Sequence, residues 1–77
     1  MRNINDIIAL IDRSQARIES EPMKARYGFE LAERLLDEKL LGYGTTRYNF
    51  KNCITKLYLP LYQQIIDGYQ TITENLK

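Results

Sequence analysis

The stretch RYNFKNCITKLYLPLYQQIIDGYQTITEN, residues 47–75, carries the strongest helical pattern in this chain of 77 residues. Its apolar side chains recur every three or four residues, which is the spacing of one face of an α-helix. Pro60 interrupts the stretch and removes one backbone hydrogen bond. Because the apolar stripe keeps its phase on both sides of Pro60, we expect one long helix over 47–75 that is kinked there, with a split into two helices as the alternative. The stripe consists of Phe50, Ile54, Leu57, Leu61, Ile65, Ile72 and Leu76.

Two shorter amphipathic segments precede this stretch. The first, 4–19, follows Asn3, a residue type that caps helix N-termini, with Asp6 placed like the acidic half of a capping box. The second, 22–41, begins at Pro22, which suits the first position of a helix. Its predicted buried face consists of Ala25, Gly28, Phe29, Ala32, Leu35, Leu36 and Leu40. Three such helices with short connections predict an all-α, antiparallel three-helix bundle with a long third helix.

The connection between the second and third helices is rich in glycine and threonine over residues 42–46. Gly42 suits the left-handed position that follows a helix end, and Thr45 or Thr46 is placed to cap the next helix. The outward face of the second helix is charged. Glu30 with Arg34, and Arg34 with Glu38, are predicted ion pairs at i,i+4 spacing.

Chain length predicts a single helical domain over 1–77. The chain has one cysteine and no histidine, so it can form no internal disulfide and lacks the ligands of a tetrahedral zinc site. We therefore expect no metal and no other cofactor, and the lone thiol indicates a reducing, cytoplasmic setting. The apolar run 7–11 is too short for a signal-peptide core or a membrane span, so we expect no membrane association.

The residue inventory also weighs against catalysis. Without histidine the commonest general base is missing, and neither a Cys–His nor a Ser–His nucleophile can be built. Cys53 lies at the edge of the predicted apolar stripe and is interpreted as a core thiol. The acidic residues of the second helix are expected on a solvated face beside arginines rather than in a pocket: Glu30, Glu33, Asp37 and Glu38. The sequence thus predicts a non-catalytic protein.

Charge is distributed unevenly along the chain. Residues 19–38 contain six acids and three bases, whereas residues 39–66 contain four bases and no acid. The acid-free segment also holds four of the six tyrosines. On the third helix, Tyr58, Tyr62 and Tyr69 project along one stripe beside the aliphatic one. Tyrosine is enriched at protein interfaces, because its ring is apolar and its tip is polar.

The basic, tyrosine-rich part of the third helix is therefore the predicted contact region of a protein-binding regulator, inhibitor or adaptor. An acidic surface on the partner would complement it. Because the third helix is predicted to be much longer than the other two, part of its apolar face is free for a partner or for a second copy in a homodimer. The predicted contact residues are Tyr58, Tyr62, Tyr69, Tyr48, Arg47, Lys51 and Lys56.

Three alternatives stay open. The second and third helices could form a helix-turn-helix that binds nucleic acid, with Arg47, Asn49, Lys51 and Asn52 near the start of its second helix. The loop is long for that motif and the acidic second helix would oppose the phosphate backbone, so nucleic acid is the weaker partner. The chain could also be a structural subunit or an immunity-type protein of a larger assembly. Finally, the basic segment could simply offset the acidic second helix within the molecule.

Overall fold

The computed structural model describes residues 3–49, 51 and 53–76, with residue 53 described by its backbone alone. These residues form three helices, α1 (Ile4–Ala16), α2 (Pro22–Gly42) and α3 (Cys53–Asn75), and no strand. The predicted all-α bundle is confirmed. Phe50, Asn52 and the side chain of Cys53 lie outside the described part of the chain, so the interpretations placed on them do too. Within that part, no helix is long and apolar enough to cross a membrane.

Helix α1 begins as predicted and ends earlier. The Asn3 side chain accepts a hydrogen bond from the backbone N–H of Asp6 at 3.1 Å, so Asn3 is the N-cap. The helix ends at Ala16 rather than at residue 19. The N–H of Arg17 bonds to the carbonyl of Ser14, three residues back. Such i→i−3 bonds tighten the last turn and end the regular helix.

Helix α2 starts at Pro22 as predicted, but the left-handed residue after it is Gly44 (φ 77°), not Gly42. The helix continues through Gly42. The N–H of Gly44 then bonds to the carbonyl of Leu41 and the N–H of Thr45 to that of Leu40, both at 3.0 Å. These two bonds form a Schellman motif, in which the left-handed residue is the one that donates to the carbonyl three residues earlier. The chain therefore reverses two residues later than predicted.

Helix α3 begins at Cys53, six residues after the predicted start, and runs through Pro60 as one helix. The alternative of two helices is therefore wrong. Neither Thr45 nor Thr46 caps α3, because both precede it by several residues. Instead, the buried hydroxyl of Thr55 donates to the carbonyl of Thr46 at 3.0 Å and lies 3.4 Å from the hydroxyl of Thr45. These contacts fix the loop against the first turn of α3.

The helices are antiparallel and α2 lies between the other two. A β-carbon on Gly28 would lie 2.0 Å from Ser14 Oγ, so α1 and α2 approach closely there. On the other side, a β-carbon on Gly68 of α3 would lie 2.4 Å from the Phe29 ring. The fully buried Phe29 is thus at the centre of the core. Helix α1 contacts α3 much less than α2 does.

The short α1 explains why part of the predicted apolar stripe of α3 is exposed. At 1.5 Å per residue, α1 is about 20 Å long, whereas α2 and α3 are each over about 30 Å. With Ser14 opposite Gly28, the first residue of α1 is level with position 38 of α2. The start of α3 therefore extends past α1, and Leu57 there is 72% exposed although its spacing predicts burial. Leu76, beyond the end of α3, is also exposed.

Candidate functional site

An ion-pair network connects the loop after α2 to the side of α2 that faces α3. The Arg47 guanidinium donates to both carboxylate oxygens of Asp37, with Nε 2.9 Å from Oδ1. It also donates through Nη1 to Glu33 Oε2 at 2.8 Å. Because Glu33 and Asp37 are one helical turn apart, a single guanidinium reaches both. This planar, forked donor matches carboxylate geometry, which a lysine could not reproduce.

Two tyrosines of α3 complete the network. Tyr62 donates its hydroxyl hydrogen to Asp37 Oδ1 at 2.6 Å, and Tyr69 donates to Glu33 Oε1 at 3.3 Å. The Arg47 guanidinium carbon lies 4.5 Å from the centre of the Tyr62 ring, which adds a cation–π contact. Tyr62 is only 4% exposed. The network therefore holds the acidic α2, the basic loop and α3 together.

The surroundings of these tyrosines raise their pKa values. Burial, followed by the hydrogen bond to the Asp37 carboxylate, raises the pKa of Tyr62 well above its usual value of 10.0. Burial and the nearby charge of Glu33 raise the pKa of Tyr69 to about 12. In both cases the neighbouring carboxylate disfavours a second negative charge on the phenol. Both hydroxyls therefore stay protonated and act as donors at neutral pH.

The predicted contact residues separate into two groups. Arg47, Tyr62 and Tyr69 belong to the internal network, so the basic segment does offset part of the acidic α2. Tyr62 is too deeply buried for a partner to touch it in this conformation. The remaining four predicted residues lie nearer the surface. Tyr48, Lys51 and Lys56 are exposed, and Tyr58 is partly buried.

The exposed members lie at the end of the molecule where α2 and α3 extend past α1, together with apolar residues that the sequence did not single out. Leu41 in the last turn of α2 and Tyr43 directly after the helix are more than half exposed, and Tyr48 is 77% exposed. We call this surface the loop end: Leu41, Tyr43, Tyr48, Lys51, Lys56 and Leu57. Leu41 and Tyr48 line a shallow depression of about 270 Å³.

Tyr58, which is partly buried, lies next to the loop end on α3. It packs against the hydrophobic core. Burial raises the pKa of Tyr58, and the neighbouring Tyr43 hydroxyl raises it further. Tyr43 therefore lies beside Tyr58, while more than half of its side chain stays exposed.

The arrangement departs from a helix-turn-helix. Ten residues, 43–52, separate α2 from α3, whereas the motif has a turn of about three or four residues. Arg47, Asn49 and Lys51 precede α3 rather than occupying its first turns. Arg47 is also paired with Asp37 and Glu33, so its charge is not available to a phosphate.

Of the acidic residues of α2, Glu30 and Glu38 are exposed as predicted, whereas Glu33 and Asp37 are partly buried. Glu33 and Asp37 face the Arg47 network rather than open solvent, and Glu30 pairs with Arg26 at 3.3 Å rather than with Arg34. Glu33 also borders a groove of about 490 Å³ together with Tyr69 and Ile72. Its two oxygens nevertheless accept hydrogen bonds from Arg47 and Tyr69. Within the described residues, no cluster of acidic, cysteine or histidine side chains could hold a metal ion.

The sequence contains signals for some of the loop-end residues that were not predicted as contact residues. Leu41 follows directly on the predicted apolar face, and Tyr43 sits in the glycine-rich loop, so both were candidates for exposed apolar residues. The exposure of Leu57 depends on the length of α1 and has no local signal. The chain matches no protein-family model, no curated protein and no solved structure.

Proposed function

We propose that this chain is a non-catalytic protein-binding module, acting as a regulator, inhibitor or adaptor, and that the loop end is its contact surface. The observation that carries the proposal is the exposure of several large apolar side chains at the one end of the bundle that α1 does not cover. Several large exposed apolar side chains at one end of a small protein are typical of an interaction site. The lone cysteine supports a reducing, cytoplasmic setting for this interaction.

The composition of the loop end favours a protein as the partner. Tyr48 and Tyr43 provide large, rigid contact areas. Tyrosine is enriched among the residues that contribute most binding energy at the centres of interfaces. Leu57 adds an aliphatic contact on α3. The lysines at positions 51 and 56 are exposed nearby, where charges mainly steer association and select partners.

The charge of the loop end favours an acidic surface on the partner. Residues 39–66 contain no acid, and within this segment Arg47 is neutralised by Asp37 and Glu33. Lys51 and Lys56 are exposed and remain to attract an acidic patch. A second copy that presented the same surface would bring like charges together, so we propose a different protein rather than a homodimer at this site.

Affinity capture with a matched pair of variants tests the proposal. The bait is the full chain, and the extract comes from the cells in which it is made. The test variant is Tyr48→Ala with Leu57→Ala, and the control is Gln63→Ala with Gln70→Ala, two exposed positions on α3. All four positions are exposed, so circular dichroism should show unchanged helix content.

We expect a protein that is retained by the wild type and by the control but reduced at least tenfold with the test variant. That retention should also weaken as salt is raised, because exposed lysines contribute to it. Equal retention by the test variant and the wild type would contradict the proposal.

A further inference from the structure

A second surface, at the other end of the bundle, is a groove between α1 and α2 of about 430 Å³. Its apolar walls are Leu10 of α1 and Met23, Tyr27 and Leu31 of α2. Its base is the close approach of Gly28 to Ser14, where the two helices meet. The groove therefore follows the line between two helices.

The apolar side of the groove is a second stripe on α2, separate from the buried one. Met23, Tyr27 and Leu31 are four residues apart, so they lie on one face of the helix. Met23 is 63% and Tyr27 is 67% exposed. Methionine and tyrosine are both enriched at protein interfaces. Among the described residues, none of the three belongs to the hydrophobic core, and the exposed side chains of Met23 and Tyr27 are accessible to a partner.

The charged side chains that line the groove are basic. Arg13, Arg17 and Lys24 line it, and among the residues described no carboxylate does. Glu21 lies close by and pairs with Lys24 at 3.1 Å and with Arg17 at 3.8 Å. Arg13 makes no ion pair with any described residue. The rim therefore keeps a net positive charge.

We propose that this groove docks an amphipathic helix of another protein, with the apolar face of that helix on Met23, Tyr27 and Leu31 and acidic side chains toward Arg13 and Lys24. Helix-in-groove binding uses apolar anchors at helical spacing, which this concave, elongated surface accommodates. A membrane surface is flat and fits a concave groove less well. The basic rim selects for acidic flanks on the bound helix.

This site is separate from the loop end. Tyr27 and Leu41 are fourteen residues apart on α2, which corresponds to about 21 Å along the helix axis. Two surfaces at opposite ends would allow the chain to bridge two protein segments. The groove proposal does not depend on the loop end, and the tests of the two use different variants.

A designed peptide serves as the probe. It is a sixteen-residue helical peptide with leucines on one face and glutamates along both flanks, and its counterpart carries lysine in place of each glutamate. The isotope-labelled full chain is titrated with each peptide, and amide shifts are followed by NMR. The variants are Tyr27→Ala for the apolar wall, Arg13→Gln for the rim and Tyr48→Ala as the control at the loop end.

We expect the glutamate peptide to shift amides of residues 10–17 and 23–31, and the lysine peptide to bind at least tenfold more weakly. Tyr27→Ala and Arg13→Gln should each weaken binding at least threefold, whereas Tyr48→Ala should leave it unchanged. Shifts confined to the loop end, equal binding of both peptides, or no binding at millimolar peptide would overturn the proposal.

Two further outcomes would assign the groove to another occupant. If vesicles of phosphatidylcholine with phosphatidylserine produced the same shifts and the peptide did not, the groove would be a membrane contact. If the solution mass doubled with concentration in the wild type but not in Tyr27→Ala, a second copy would occupy the groove. Either result would overturn the proposal of a partner helix.

Discussion

Arg47 makes more contacts between separate parts of the chain than any other basic residue described. It joins the loop to Asp37 and Glu33 and lies over the Tyr62 ring. Hydrogen bonds to charged groups contribute about 1.5–3 kcal/mol each, less where solvent reaches them. We expect Arg47→Ala to reduce the free energy of unfolding by about 1–3 kcal/mol, as measured by urea denaturation.

Two further variants, one intermediate and one control, are compared with Arg47→Ala. Arg47→Lys keeps the charge but loses the forked geometry, so it should fall between the wild type and Arg47→Ala. Lys51→Ala, an exposed position in the same loop, should change stability by less than about 0.5 kcal/mol. If Arg47→Ala matched Lys51→Ala, the network would not hold the loop.

The raised pKa values of Tyr62 and Tyr69 predict how the free energy of unfolding depends on pH. Their pKa values are higher in the folded chain than the value of about 10 expected when unfolded. At pH values between the unfolded and the folded pKa of each tyrosine, the folded state binds more protons than the unfolded state. Stability contributed by these groups is therefore complete below pH 10 and falls as the pH rises through the folded pKa, which for Tyr69 is about 12.

Thermal melts between pH 8 and pH 12 measure this effect. Tyr62→Phe and Tyr69→Phe should each make the fall of the melting temperature with pH less steep, because each removes one titrating group. Tyr27→Phe is the control, since Tyr27 is exposed and its hydroxyl makes no hydrogen bond to a described residue. A decline that was equally steep in all three variants would show that other groups cause it.

The sequence predicted these residues as important but not their roles. An acid-free segment beside an acidic helix already left internal neutralisation open as an alternative. The particular pairs depend on the register of α3 against α2, which places Tyr62 beside Asp37 and Tyr69 beside Glu33. Register is a tertiary property, and no local pattern in the chain specifies it.

At the scale of helices, the contact between α2 and α3 depends on Gly68. A β-carbon there would lie 2.4 Å from the Phe29 ring, and Phe29 is fully buried, so the ring has no room to move. Overpacking of this kind costs about 1–3 kcal/mol and outweighs the better helix propensity of alanine, worth about 1 kcal/mol. We expect Gly68→Ala to lower the denaturation midpoint.

Gly42→Ala is the matched control on α2. A β-carbon on Gly42 has no neighbour within 4 Å, and its backbone is not left-handed. The substitution should therefore leave stability unchanged or raise it by about 0.5 kcal/mol. A loss with Gly42→Ala as large as that with Gly68→Ala would contradict the packing explanation.

The presence of the three helices, the starts of α1 and α2 and the end of α3 were predictable, whereas the end of α1 and the start of α3 were not. The periodicity of residues 47–75 predicted a long helix that continues through Pro60, and Asn3 and Pro22 marked two helix starts correctly. Periodicity did not locate the start of α3, because hydrogen bonds of Thr55 and ion pairs of Arg47 hold the preceding residues in the loop. The left-handed residue is Gly44 rather than Gly42 because backbone hydrogen bonds extend α2 before the chain reverses.

At the scale of the whole molecule, the unequal lengths of the helices produce the loop end. The expectation of a spare apolar face rested on a third helix much longer than the others. In the structure α3 has 23 residues and α2 has 21, whereas α1 has only 13. The uncovered surface therefore belongs to the whole α2–α3 hairpin and not to α3 alone, which is why Leu41 and Tyr43 belong to the proposed site.

Site-specific photo-crosslinking tests the proposed role of the loop end most directly. A photoreactive phenylalanine replaces Tyr48 in one chain and Gln70, exposed on the opposite half of α3, in another, and both are irradiated in the native cells. We expect a discrete protein adduct at position 48 that is absent at position 70 and is reduced by Lys51→Ala with Lys56→Ala. Equal adducts at both positions, or none at position 48, would contradict it.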